Sequence, residues 1–138
     1  VKETLEDLKN KLLAAGYDLL KKTVFTLGGV VPYLTPEAVD NLLHFIVSFS
    51  APGSSVIFTY HHMEACSESF NQIAQQIAGL GEPFRFSLNP LHVEKFLSER
   101  GFTNVYNLNI DQIKEIYSPH ITSILEPSYN VVTAEVRK

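Results

Sequence analysis

Cys66 is the only cysteine in this 138-residue chain, so no internal disulfide framework can hold the fold, and a reducing compartment suits it. Long apolar runs are also missing. With neither a membrane-spanning stretch nor a signal-type hydrophobic region, a soluble cytoplasmic protein is expected, with no membrane partner. Basic residues are too few for a nucleic-acid surface: 11 Lys and Arg stand against 15 Asp and Glu, a net charge of -4. No G-x-S-x-G elbow of a hydrolase, internal repeat or low-complexity tract occurs. The first residue is Val1 rather than Met, and an amphipathic pattern starts almost at once. The expectation is a natural beginning removed and no leader.

The chain does have enough apolar residues, 45%, for one compact body, and a single α/β domain over 1–138 is expected. Thr4 with Asp7 makes a capping box, and Leu5, Leu8, Leu12 and Leu13 then share a face up to Gly16, which predicts a surface helix laid on a sheet. Thr23-Val24-Phe25-Thr26-Leu27 is apolar on both faces, as a buried parallel strand requires. After Gly28-Gly29 and the link Val30-Val31-Pro32-Tyr33-Leu34, Thr35 caps a helix with Pro36 in its first turn and a stripe of Val39, Leu42, Leu43, Ile46 and Phe49. Ala51-Pro52-Gly53 ends it, and a second strand follows over 55–60.

Helical spacing of Phe70, Ile73, Ala74 and Ile77 predicts a helix over 68–78, closed by Gly79 and Gly81. Asn89 before Pro90 opens another, with Leu91, Val93, Phe96 and Leu97 inward, stopped by Gly101. A strand over 102–108, a short helix over 111–117 capped by Asn109, a loop over 118–128 with Pro119 and Pro127, and a last strand over 130–136 complete the chain. This order fits half of a doubly wound, Rossmann-like sheet of about four strands, the last antiparallel, with helices on both faces.

Five segments fall in an order that resembles the carboxyl-terminal half of the leucine carboxyl methyltransferase family. They are Ala14-Ala15-Gly16-Tyr17-Asp18, the stretch from Phe25 to Leu34, Ala51-Pro52-Gly53-Ser54, Gly81-Glu82-Pro83-Phe84 with Phe86, and Phe96-Leu97-Ser98-Glu99-Arg100-Gly101-Phe102. The resemblance implies an S-adenosylmethionine-dependent O-methyltransferase of class I fold that acts on a small-molecule or peptide acceptor. It also implies that the glycine-rich cofactor loop and the ribose-gripping acid lie in the family's other half, so that no S-adenosylmethionine is expected on this chain alone. Where relatives have Trp-Glu-Gly, this chain has Leu27-Gly28-Gly29, and Gly28 supplies no carboxylate.

Methyl transfer is an in-line displacement in which the protein mainly holds the acceptor oxygen about 3 Å from the methyl carbon. Gly28 and Gly29, at the end of the first strand, are the candidates for the cofactor side. Tyr33, in the strand–helix link, and Arg85, a cation between Phe84 and Phe86 able to hold a carboxylate bidentately, are the candidates for the acceptor. His61 and His62 follow the second strand, where sites form in such sheets, and either imidazole can deprotonate a hydroxyl acceptor; a carboxylate acceptor needs no base. Gly79-Leu80-Gly81 has a G-x-G spacing but follows a helix, which makes it a helix stop. His62, Glu64 and Cys66 match no zinc spacing, so no metal is expected, and His44, His92 and His120 carry no assigned chemistry. The rival reading is a non-catalytic α/β scaffold module derived from a methyltransferase. A homodimer through an exposed strand at 23–27 is expected, because without a neighbour that strand becomes an unpaired edge.

Overall fold

The computed structural model describes residues 4–81, 83–117 and 126–137. The loop expected over 118–128 lies mostly outside these residues, with His120, and so does Glu82. Helix α1 (Leu5–Ala14) starts at a reciprocal capping box: the Thr4 hydroxyl accepts from the Asp7 N–H, and the Asp7 carboxylate accepts from the Thr4 N–H. Those bonds to Thr4 hold the Asp7 carboxyl below its ordinary range.

Strand β1 (Val24–Leu27) leads through a 3₁₀ turn at Val31–Tyr33 into α2 (Pro36–Ser48), capped by Thr35. β2 (Ser55–His61), α3 (Glu68–Gly79), α4 (Val93–Ser98), β3 (Phe102–Asn109), α5 (Ile110–Tyr117) and β4 (Tyr129–Val136) follow. Asn109 caps α5 in a reciprocal pair with Gln112.

The sheet order is β1-β2-β4-β3, with β1 parallel to β2 and β4 antiparallel to both β2 and β3. The last strand therefore enters the middle of the sheet. The connections from β1 to β2 and from β2 to β3 step in the same direction, and α2 and α4 pack on one face. There Val39, Leu43, Ile46, Val93 and Leu97 pack on Val56, Phe58, Tyr60, Phe102, Val132, Ala134 and Val136, all buried. The other face carries Val24, Ile57, Thr59, Val131 and Thr133, exposed or half-buried, and α3 touches its end by stacking Phe70 on His61. The bulge in β3 between Thr103 and Tyr106 contains Asn104 at φ 51°, a left-handed residue whose amide donates to the Glu135 carboxylate.

Three expectations change. α1 does not lie on the sheet: none of its residues is buried, and it borders a groove with Asn41, His44, Phe45, Ser48 and Phe49. Tyr17 takes the position against the strand instead, its ring between Phe25 and Phe49 and its hydroxyl donating to the Phe49 carbonyl at 2.6 Å. Leu91 points out, 86% exposed, because Pro90–His92 is a 3₁₀ turn whose tighter winding rotates it away before the α-helical period begins at Val93. Leu42 is half-buried at the flank of the stripe, whereas Val39, Leu43 and Ile46 are fully buried. The Asp40 carboxylate receives the Arg100 guanidinium at 2.7 Å and ties α2 to the end of α4.

Candidate functional site

The carboxyl ends of β1, β2 and β3 and the start of β4 meet along one edge of the sheet, as the pairing directions require. Leaving β1, the chain turns at Gly28 and Gly29. Gly29 has φ 69°, a left-handed conformation costly for other residues, and its N–H donates to Thr59 Oγ1 on β2 at 3.0 Å. A Cβ added at Gly28 or Gly29 would meet no heavy atom within 4 Å. The strand end is open.

In the 3₁₀ turn Val31 and Pro32 are buried, and the Pro32 carbonyl accepts from the backbone N–H groups of Arg85 at 2.7 Å and Phe86 at 3.2 Å. With Phe86 buried beside it, this clamp fixes the connector against the turn. Between them lies a cleft of about 390 Å³ lined by Val30, Tyr33, Leu34, Gly81, Pro83 and Arg85. Tyr33 packs its ring on Phe84 at 5.1 Å and stays 39% exposed. The Arg85 side chain is exposed and has no ion pair among the described residues.

Phe84 links this cleft to His61. Its ring centroid lies 5.6 Å from His61 and 5.6 Å from Phe70, while Phe70 stacks on His61 at 4.8 Å and Tyr129 meets it edge-on at 5.6 Å. His61 Nδ1 lies 3.0 Å from Ser128 Oγ. Burial pushes the His61 imidazole below its ordinary range, and the Glu126 charge opposes part of that shift. Burial also opposes ionisation of Glu126, but hydrogen bonds from the hydroxyls and backbone N–H groups of Ser67 and Ser128 outweigh it and hold the carboxyl below its usual range. The Ser67 hydroxyl bond is 2.7 Å long. His62 makes none of these contacts: its Nε2 is buried without a hydrogen-bond partner among the described residues and lies 3.6 Å from Glu64 Oε2.

On the closed face below, the Tyr60 hydroxyl donates to Asn107 Oδ1 at 2.6 Å, Asn107 donates to Asn130 Oδ1, and Asn130 donates to the Ser128 carbonyl. Burial pushes the Tyr60 phenol above its ordinary range, so it remains a donor. Both polar chains thus end at Ser128. Sequence reasoning missed Ser128, Glu126, Asn107 and Asn130. The signal for the asparagines was two amides inside otherwise β-forming runs, while nothing local joins 126–128 to His61.

The candidate residues are therefore brought together unequally. Tyr33 and Arg85 share the cleft, His61 adjoins it through Phe84, Gly28 and Gly29 open onto the neighbouring strand end, and His62 stands apart. Gly79-Leu80-Gly81 closes α3, with Leu80 as cap and Gly81 at φ 89°, and among the described residues no group of three or more His, Cys, Asp and Glu is gathered for a metal.

Residues 3–47 match the family model for leucine carboxyl methyltransferase. A Mycobacterium avium protein, provisionally named an S-adenosyl-L-methionine-dependent methyltransferase, is 38% identical over 71 residues, 51% of this chain. YktD of Bacillus subtilis, with the same provisional name, is 28% identical over 101 residues, 70% of this chain. The aligned segments span 23% and 33% of these two proteins, well under two thirds of either. Among solved structures, a DUF574-family protein of Streptomyces avermitilis superposes with a TM-score of 0.68 at 15% identity, covering 99% of this chain and 54% of that one. A SAM-dependent methyltransferase of Archaeoglobus fulgidus gives 0.59 at 15% identity, covering 98% and 66%. The fold is thus the α/β fold of class I methyltransferases, and the resemblance to the leucine carboxyl methyltransferase family rests on the match over 3–47 and on these relatives. No described helix is long and apolar enough to cross a membrane.

Proposed function

We propose, from this resemblance to S-adenosylmethionine-dependent methyltransferases, that the chain supplies the acceptor side of an O-methyltransferase acting on a small molecule or peptide. The observation that carries the reading is the cleft at the carboxyl ends of β1 and β2, where Tyr33 and Arg85 face a common space beside His61. Sites of doubly wound sheets form at this edge. Arg85 would orient an anionic or phenolic oxygen, Tyr33 and Phe84 would hold the acceptor's body, and His61 rather than His62 would receive a proton from a hydroxyl acceptor.

The residues present do not fit a complete cofactor site. Gly28 and Gly29 leave room at the strand end but offer no carboxylate to a ribose, and Gly79-Leu80-Gly81 is taken up in closing α3. S-adenosylmethionine is the methyl source expected for the whole protein, and this chain by itself is expected to bind it negligibly and to be inactive. The missing carboxylate at Gly28 also favours a second reading, a scaffold module without catalysis.

The test uses methyl-labelled S-adenosylmethionine and a panel of small phenols and carboxylic acids, with the chain alone and with the chain mixed with the part of the Mycobacterium avium relative outside the aligned residues. Labelled acceptor formed only by the mixture supports the first reading. A mixture that binds S-adenosylmethionine saturably yet labels no acceptor overturns it in favour of the scaffold.

A further inference from the structure

The chain has three arginines, and the fold uses two of them. Arg100 pairs with Asp40 at 2.7 Å, donates to the Phe96 carbonyl and lies over the Phe96 ring. Arg137 donates to the Ser98 carbonyl at 3.1 Å. Arg85 makes no side-chain hydrogen bond or ion pair with a described residue, yet its backbone is fixed. Its N–H and that of buried Phe86 both donate to the Pro32 carbonyl, and Phe84 on its other side packs on Tyr33. The guanidinium is therefore anchored at its root and left to the cleft at its tip. The cleft limits what it can meet there. Val30, Leu34 and Pro83 are apolar, Gly81 has no side chain, and the Tyr33 phenol and the Arg85 guanidinium both offer hydrogen-bond donors. Among the described residues no carboxylate lines this space to receive an amine.

We propose, resting on the methyltransferase reading, that Arg85 is a specificity-determining residue that binds an oxyanion, carboxylate or phosphate, carried by an aromatic acceptor at a position other than the oxygen to be methylated. A guanidinium meets either anion through two parallel N–H···O bonds. Those bonds occupy lone pairs, and the neighbouring positive charge lowers the basicity of the oxygens that remain. An oxygen held in this way is a poor nucleophile, so the reacting oxygen belongs to a second group on the same molecule. The Tyr33 ring, 39% exposed and packed on Phe84, offers the body of the acceptor an apolar face, and the cleft of about 390 Å³ has room for a small ring. The acceptor class is thus a hydroxyaryl acid. A simple phenol leaves the guanidinium without a charged partner, a hydroxyaryl amine meets a like charge, and an acid with no second oxygen offers nothing to methylate once it is held.

The test is NMR titration of the full nitrogen-labelled chain with para-hydroxybenzoate, para-hydroxyphenyl phosphate, phenol and tyramine, read at the backbone amides of residues 30–34 and 83–86 and at Arg85 Nε. The favoured acid should shift Arg85 Nε saturably and bind about fivefold more tightly than phenol, the gain expected of an exposed charged pair. Whichever of the two acids binds more tightly names the anion, and tyramine should bind no more tightly than phenol. Arg85→Ala should remove the difference between acid and phenol, and Arg85→Lys should restore part of it. If Arg85→Ala fails to fold, added salt carries the test on the wild type, because screening should weaken the acid and leave phenol unchanged. Phenol binding as tightly as both acids, an unshifted Arg85 Nε, or an advantage of the acid that survives Arg85→Ala or added salt would each overturn the proposal. So would label on the carboxylate of para-hydroxybenzoate, rather than on its hydroxyl, in the methyl-transfer assay of the mixture. Failure of the underlying reading looks different: the acid would still bind through Arg85 while the mixture labels no acceptor.

Discussion

Replacing Ile46 by Ala removes apolar atoms from the centre of the closed layer between α2 and the face of β2 and β4. Ile46 is 1% exposed and belongs to the cluster that includes Val39, Leu43, Val56 and Phe58. A strand pair on one side and a helix tied by its Asp40–Arg100 pair on the other leave little room to collapse into the hole. Buried Ile-to-Ala changes cost about 2–5 kcal/mol, and this site should fall near the middle, about 3 kcal/mol. Leu42, one turn earlier and half-buried at the flank, should cost about half as much in Leu42→Ala, because part of its surface already faces water. Urea titration followed by circular dichroism measures both, with an unchanged slope showing that the midpoint shift reports stability. A loss under about 0.5 kcal/mol for Ile46→Ala, or a larger loss for Leu42→Ala than for Ile46→Ala, would refute this account of which helix face is closed.

Gly101→Ala should destabilise by about 1–2 kcal/mol, since φ 98° is strained for any side chain and the new Cβ would come 3.1 Å from Val47 Cγ1; a neutral result by the same titration would contradict it. Acid should weaken the fold early. His61 and Glu126 both have folded pKa values below their ordinary 6.5 and 4.5, so the folded state binds fewer protons than the unfolded one; the stability they contribute is complete above pH 6.5 and declines as pH falls below it. His61→Gln should flatten the first part of that decline in urea midpoints taken between pH 7.5 and 5, and stability rising on acidification would reverse the sign. We further propose that the chain forms a homodimer at the β1 edge, where Val24 is 61% exposed and, among the described residues, no strand pairs on the outer side. Light scattering should give twice 15.5 kDa for the wild type and 15.5 kDa for Val24→Lys; a monomeric wild type at high concentration removes the dimer, and a dimeric variant removes its location.

Local signals carried much of the fold into the sequence. Thr4, Thr35, Asn89 and Asn109 each accept the N–H bonds that start a turn, and runs of β-branched and aromatic residues mark β2 and β4, whose burial then alternates in the fold. The errors lie where the local period breaks or distant elements compete. Leu91 follows three-residue winding, and α1 yields its expected place on the sheet to Tyr17, a residue outside the helix. The entry of β4 between β2 and β3 depends on pairing across some seventy residues of chain, which no local pattern encodes. The site shows the same division. Tyr33 and His61 stand out by residue type beside strand ends and Arg85 by its charge in a connector, whereas the Ser128 contact with His61 is created only when β4 pairs with β2 and places Tyr129 opposite His61.

The claim that the cleft beside His61 is an acceptor site is tested most directly by mapping backbone amide shifts of the whole chain as phenol is added. The account predicts saturable shifts confined to residues 30–34, 83–86 and the vicinity of His61, reduced in Arg85→Ala and Tyr33→Ala. Saturable shifts centred on the groove between α1 and α2, with residues 30–34 and His61 unmoved, would contradict it.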